Sequence, residues 1–118
     1  MRKVEIGTEK YTRVIANDDK EFNANHFYSV ETSDTTRPAM ILSQVRFQKG
    51  PVKENGVNGV MNEDLLAMVI DRLQSFQESP YKCRENAIAI TKLEEALLWL
   101  GKRTAERNRR GVEGTNTI

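Results

Sequence analysis

Hydrophobic positions along this chain change rhythm near Gly50 and Pro51. Before that point they come in four short runs, "VEIG", "YTRVIA", "EFNANHFYSVET" and "AMILSQVRFQ", each rich in β-branched and aromatic residues and each predicting a strand. Between them stand "NDDK" at 17–20 and "SDTTRP" at 33–38, whose Asn, Asp, Ser and Pro favour tight reversals. The expectation is an antiparallel meander. Alternation places Phe22, Ala24, His26, Tyr28 and Val30 on one face and Phe27 on the other.

After Pro51 the period becomes helical. Asn62 is the expected N-cap, with Glu63 and Asp64 putting negative charge in the first turn and Leu66, Val69, Leu73 and Phe76 forming a stripe at spacings of three and four. "QESPYK" ends that helix at Pro80. A longer one is predicted from about Cys83 to about Arg109, with Asn86, Ile90, Leu93, Leu97 and Leu100 on a single seam. Two such helices with a short connection make an antiparallel hairpin. Leu98 and Trp99 fall off the seam, and pairing with a second copy is the simplest way to cover them. The fold class expected is therefore α+β: a sheet region over residues 1–50, then a two-helix hairpin region over 51–118 that drives oligomerisation.

Composition removes several function classes. The chain has 118 residues, 38% of them hydrophobic, which is the size of one domain with a modest core. A net charge of +1 argues against bulk attraction to nucleic acid, so any anion binding is local. The one cysteine, Cys83, allows neither an intrachain disulfide nor a cysteine-built zinc site and suits a reducing cytosol. "MRKVEIGTEKYTRV" has no apolar core of a signal peptide, and no run of 18 apolar residues occurs, so a soluble intracellular protein without membrane or metal is expected.

Candidate chemistry concentrates in "RTAERNRRGVEGT". On a helix Trp99, Arg103, Arg107 and Arg110 are spaced four, four and three apart and stack along one side, with Arg109 beside them. Arginines near a helix C-terminus commonly just complement the macrodipole. Like charges at these spacings repel, however, and their clustering asks for an anion; the planar guanidinium fork suits a diphosphate.

A second candidate is the loop Gly56, Val57, Asn58, Gly59 and Val60, whose glycines can bare backbone N–H groups ahead of a helix. It lacks the lysine and spacing of a phosphate-binding P-loop, and turn glycines alone account for it equally well. Phe76 and Asn86 flank the predicted hairpin turn, an aromatic face and an amide of the kind that hold a purine by stacking and edge contacts. Phe76 also reads as ordinary core.

No catalytic constellation accompanies these residues. His26 is a lone histidine, and Glu94 and Glu95 are helix neighbours rather than a facing acid–base pair, so no enzyme is expected. A small nucleic-acid-binding regulator using the Arg-rich helix remains the alternative, with near-neutral charge against it.

Residues 47–115, from "FQKGPVKENGVNGVMNEDLLAMVIDRLQSFQ" through "CRENAIAITKLEEALLWLGKRTAERNRRGVEGT", resemble the helical-hairpin domain shared by phage anti-CBASS and Thoeris anti-defence proteins. The sheet ahead of them resembles the Thoeris anti-defence sponges. The resemblance implies a non-enzymatic phage sponge acting in the host cytoplasm. Such a protein sequesters the Thoeris messenger, a cyclic ADP-ribose isomer, without cleaving it and so silences the Thoeris effector. It needs no cofactor. The family assembles through its helices into dimers and in some members hexamers, with the ligand at the junction of protomers; some members also take cyclic di- or trinucleotides of CBASS at a separate site. Carried over to this sequence, Phe76 and Asn86 match base- and ribose-contacting positions, Arg103 and Arg107 match diphosphate-binding arginines, and the loop from Gly56 to Val60 matches one lining a pocket.

Overall fold

The computed structural model describes residues 1–7 and 9–118. The chain divides into two compact units, Met1–Val60 and Met61–Ile118.

The first unit is a four-stranded antiparallel sheet in the order β1 (Arg2–Lys3), β2 (Thr12–Ala16), β3 (Phe27–Thr32), β4 (Ile41–Arg46). The meander expected from the turn chemistry is present. Its register pairs Val14 with Val30, Ala16 with Tyr28, and Tyr28 with Val45, so these side chains share one face. Ala16 is fully buried there, and Phe47 meets Tyr28 edge-on at 5.6 Å. The opposite face is charged: Arg13 donates to Glu31 at 2.7 Å, and the Arg46 guanidinium lies 4.6 Å from the centre of the Phe27 ring. Period-two alternation has sorted the strands into an apolar and a polar face.

Two strand predictions shift. β1 is Arg2–Lys3 rather than "VEIG", because Gly7 and Glu9 take positive φ and commit that stretch to the turn into β2. The third run is a strand only from Phe27. Its first half is a 3-10 turn at Glu21–Asn23, with Phe22 and Asn23 at positive φ and the His26 ring hydrogen-bonded to the Glu21 carbonyl. Phe22 and His26 thus leave the predicted face. Lys49 pairs with Asp19 and Glu21 beside this turn, and the hydrogen bond to Glu21 raises its pKa above that of an ordinary lysine. In β4 the register slips between Val30 and Glu31, leaving Leu42 as the extra, exposed residue of a bulge.

After β4 the chain makes one turn of helix, α1 (Val52–Asn55), and returns to the sheet through residues 56–60. Val60 and Phe47 form a parallel bridge, with Gln48 N–H to the Val60 carbonyl and Val60 N–H to the Arg46 carbonyl, each at 2.8 Å.

The second unit is a hairpin of α2 (Asn62–Gln77) and α3 (Arg84–Arg109). Asn62 is the first helical residue rather than the cap. The cap position is Met61, whose N–H donates to the Asp64 carboxylate at 2.8 Å while Asp64 N–H returns to the Met61 carbonyl. α2 ends three residues before Pro80, and the Gln77 amide braces the turn by bonding both the N–H and the C=O of Cys83.

The predicted α3 seam holds: Asn86, Ile90, Leu93, Leu97 and Leu100 are all partly buried, and the same heptad rhythm continues through Thr104 and Arg107. The α2 stripe is rotated. Its inward residues are Leu66, Ile70, Leu73 and Gln77, with Ile70 only 9% exposed, whereas Val69 and Phe76 stand in solvent. Both sets obey helical spacing, and only the partner helix selects between them. α3 outruns α2 by 26 − 16 = 10 residues, about 15 Å of helix with no partner strand or helix within this unit.

Candidate functional site: the arginine-rich end of the hairpin

The overhanging end of α3 carries the cations. Trp99 is 63% exposed, with the Lys102 ammonium 5.1 Å from its ring centre, and Leu98 beside it is 75% exposed. Arg103 is exposed and its side chain has no hydrogen bond or ion pair among the described residues; the same is true of the side chain of Arg110, which caps the helix. Arg109 is spoken for: Glu106, one turn back, accepts from it, and that hydrogen bond raises the Arg109 pKa still further. Such an exposed pair contributes little to stability, but it takes one guanidinium out of the anion-binding set.

Arg107 differs from the others. At about 100° per residue the stripe fans over some 80°, from Trp99 to Arg107, which places Arg107 against the buried seam. Its side chain is only 11% exposed. Nε donates to the Glu113 carboxylate at 3.1 Å, Nη1 to the Thr117 carbonyl at 2.8 Å, and Nη2 to the carbonyls of Val112 and Thr115 at 3.0 and 3.1 Å. The chain reaches those positions by ending the helix as the sequence predicted. Gly111 takes φ 73°, with its N–H on Asn108 and that of Val112 on Arg107, the paired bonds of a Schellman motif. Gly114, at φ 80°, then turns the chain again. Residues 112–117 form a hook around one guanidinium. Neither the spacing nor the charge of "RGVEGT" signalled it; the second glycine, three after the first, was the available sign.

Phe76 and Asn86 lie at the other end of the hairpin. Phe76 is 39% exposed, with the Arg72 guanidinium 5.3 Å from its ring centre, and Asn86 is half-buried on the seam. The turn between them is held by Ser79, whose hydroxyl donates to the Phe76 carbonyl at 2.6 Å and accepts from Tyr81 N–H at 3.1 Å. From Asn86 to Arg103 is 17 residues of continuous helix, or about 26 Å. Within one chain, then, the aromatic–amide pair and the arginines are too far apart to touch the same small molecule.

The loop at residues 56–60 spends its polar groups on itself and on the sheet. The Asn58 side chain accepts from Lys49 N–H at 2.8 Å and donates to the Lys49 carbonyl at 2.7 Å, pairing as a strand would, while Gln48 bonds Asn58 N–H and the Gly56 carbonyl. Gly59 is needed for close approach: a Cβ there would stand 2.4 Å from the Phe47 carbonyl oxygen. Val57 is the loop's exposed hydrophobic side chain. At the start of the helix that follows, the Asp64 carboxylate accepts from the N–H of the cap residue Met61.

Fold and site together define a small α+β protein whose hairpin ends in a cluster of cations beside an exposed tryptophan. A family model, the hairpin domain of Acb2/Tad1, matches residues 41–105, which is 65 of 118 residues, and the chain belongs to that family. A protein of Bacillus phage SBSphiJ7 named Thoeris anti-defense 1 is 73% identical over 75 residues, 64% of this chain and 53% of that protein. The chain thus spans about half the length of this relative. Among the described residues, no helix is long and apolar enough to cross a membrane.

Proposed function

We propose that this protein is a phage anti-defence sponge that binds a cyclic ADP-ribose messenger of Thoeris immunity, holds it intact and withholds it from its effector in the host cytoplasm. The relative named Thoeris anti-defense 1 supports the biological setting, and the observation that carries the chemistry is the pair of arginine side chains, Arg103 and Arg110, that have no partner among the described residues, on the helix end beside Trp99. A diphosphate offers them the oxygens they lack. Phe76 and Asn86 supply a stacking face and an amide edge for the base and ribose. No acid–base pair or nucleophile enters the reading, since sequestration needs none.

The separation of about 26 Å between Asn86 and Arg103 decides the architecture of the proposal. One ligand meets both groups only when the turn of one copy lies against the helix end of another, as in an antiparallel pair of hairpins. A homodimer also covers Leu98 and Trp99 and the outer stripe of Val69 and Phe76. A compact cyclic ligand loses little conformational freedom on entering such a site, and a competitive sponge needs nanomolar affinity, about −12 kcal/mol.

Mixing variants tests the composite site. Phe76→Ala and Arg103→Ala each weaken capture of cyclic ADP-ribose by about a hundredfold alone, whereas co-expressed they regain full affinity at about a quarter of the sites, because each mixed pair assembles one intact site. Recovery absent from mixed dimers that are demonstrably formed contradicts the two-copy site.

A further inference from the structure

The hook around Arg107 bears on how such a site fills. Four acceptors converge on this guanidinium, one carboxylate oxygen and three backbone carbonyls, and they use its Nε–H, one Nη1–H and both protons of Nη2. Convergent oxygens with a negative charge among them are what a diphosphate would present to the same fork. The hook is a polypeptide substitute for an anion. Its neighbours Arg103 and Arg110, on the same side of the helix, carry no such occupant among the described residues. The hook is also lightly held. Its own bonds are the Thr115 N–H and hydroxyl to the Val112 carbonyl and Thr117 N–H to the Thr115 hydroxyl, and Glu113 is 38% exposed. Gly111 and Gly114, both at positive φ, are natural hinges.

Building on the diphosphate reading of the arginine cluster, we infer that residues 112–117 are an internal competitor for Arg107: an anion first engages Arg103 and Arg110, and Arg107 joins only when the hook is displaced. Glu113 is then an affinity-setting residue, because its carboxylate is the charged group that an incoming anion must replace and the one that repels it on approach. The hook keeps Arg107 satisfied in the empty protein, where an unpartnered guanidinium at 11% exposure would be costly.

The test uses the full chain and inorganic pyrophosphate as the probe. Calorimetry measures its binding, while NMR follows hydrogen exchange at the Thr115 amide and the Arg107 Nε–H resonance. Binding is expected to speed Thr115 exchange by about tenfold or more as the hook opens, to shift the Arg107 Nε–H signal, and to tighten about fivefold in Glu113→Gln, the effect of removing one charge-assisted bond from the competitor. Binding to Glu113→Gln but not to wild type also supports the inference. If pyrophosphate binds while Thr115 stays protected and Arg107 does not shift, the hook is a fixed cap and the inference falls, with the anion reading left standing on Arg103 and Arg110. Failure of pyrophosphate to bind either protein overturns both.

Discussion

Replacing Arg103 with alanine is expected to weaken capture of cyclic ADP-ribose by about a hundredfold or more, near 3 kcal/mol, the scale of removing one charge-assisted hydrogen bond from a largely enclosed anion. The fold should not notice. The Arg103 side chain is exposed and makes no hydrogen bond or ion pair among the described residues, so the variant's thermal midpoint should stay within about a degree of wild type, as for a neutral surface change. Calorimetry with the ligand and a circular-dichroism melt together make the measurement. Undiminished affinity would remove Arg103 from the site. Arg107→Ala is a poorer instrument, because it also strips four bonds from residues 112–117 and mixes weaker ligand binding with release of the hook.

The second large effect concerns stability. Ile70 is the buried hydrophobic side chain of the hairpin, gripped between α2 and α3, and Ile70→Ala should cost about 3 kcal/mol through lost transfer energy and the cavity left behind. Val69→Ala, one residue away on the exposed stripe, should cost under about 1 kcal/mol in a monomer. Denaturant unfolding at several protein concentrations reads both. A Val69 cost as large as that of Ile70 at high protein concentration, fading on dilution, would mean that the outer stripe is itself buried by a second copy.

The difference between those two residues shows where sequence reasoning gives out. The α3 seam from Asn86 to Leu100 was legible because its heptad spacing admits one face. On α2 the apolar residues are dense enough that Leu66–Val69–Leu73–Phe76 and Leu66–Ile70–Leu73–Gln77 both satisfy the period, and only packing against α3 distinguishes them. In the sheet, the order of strands and the turn between β3 and β4 followed from local residue chemistry. The 3-10 turn at Glu21–Asn23 did not, since aromatic Phe22 sits in a polar stretch and takes a positive φ that its identity gives no reason to expect.

At the site, the clustering of arginines is a sequence fact, but their inequality is structural. Arg103 and Arg110 stand open, Arg109 is paired by a glutamate three residues back, and Arg107 is enclosed by a segment five to ten residues ahead. Helical spacing carries the seam on to Arg107 and leaves Arg103 off it, but the bonds of a non-helical tail have no period to read. The matched family segment ends at residue 105, so Arg107 and the hook lie beyond it and owe their description to the structure. The amide clamps of Gln48, Asn58 and Gln77 were equally invisible, because a glutamine or asparagine becomes a strand or turn surrogate only when the chain brings a backbone to it.

A sponge holds its ligand and does nothing to it. The most direct measurement mixes the purified protein with cyclic ADP-ribose isomers and cyclic di- and trinucleotides, removes unbound ligand, denatures the protein by heat and identifies what is released by chromatography. An intact cyclic ADP-ribose is expected, released in an amount that tracks the protein. Release of linear ADP-ribose or another product would make this an enzyme, and retention of none of these ligands would contradict the sponge.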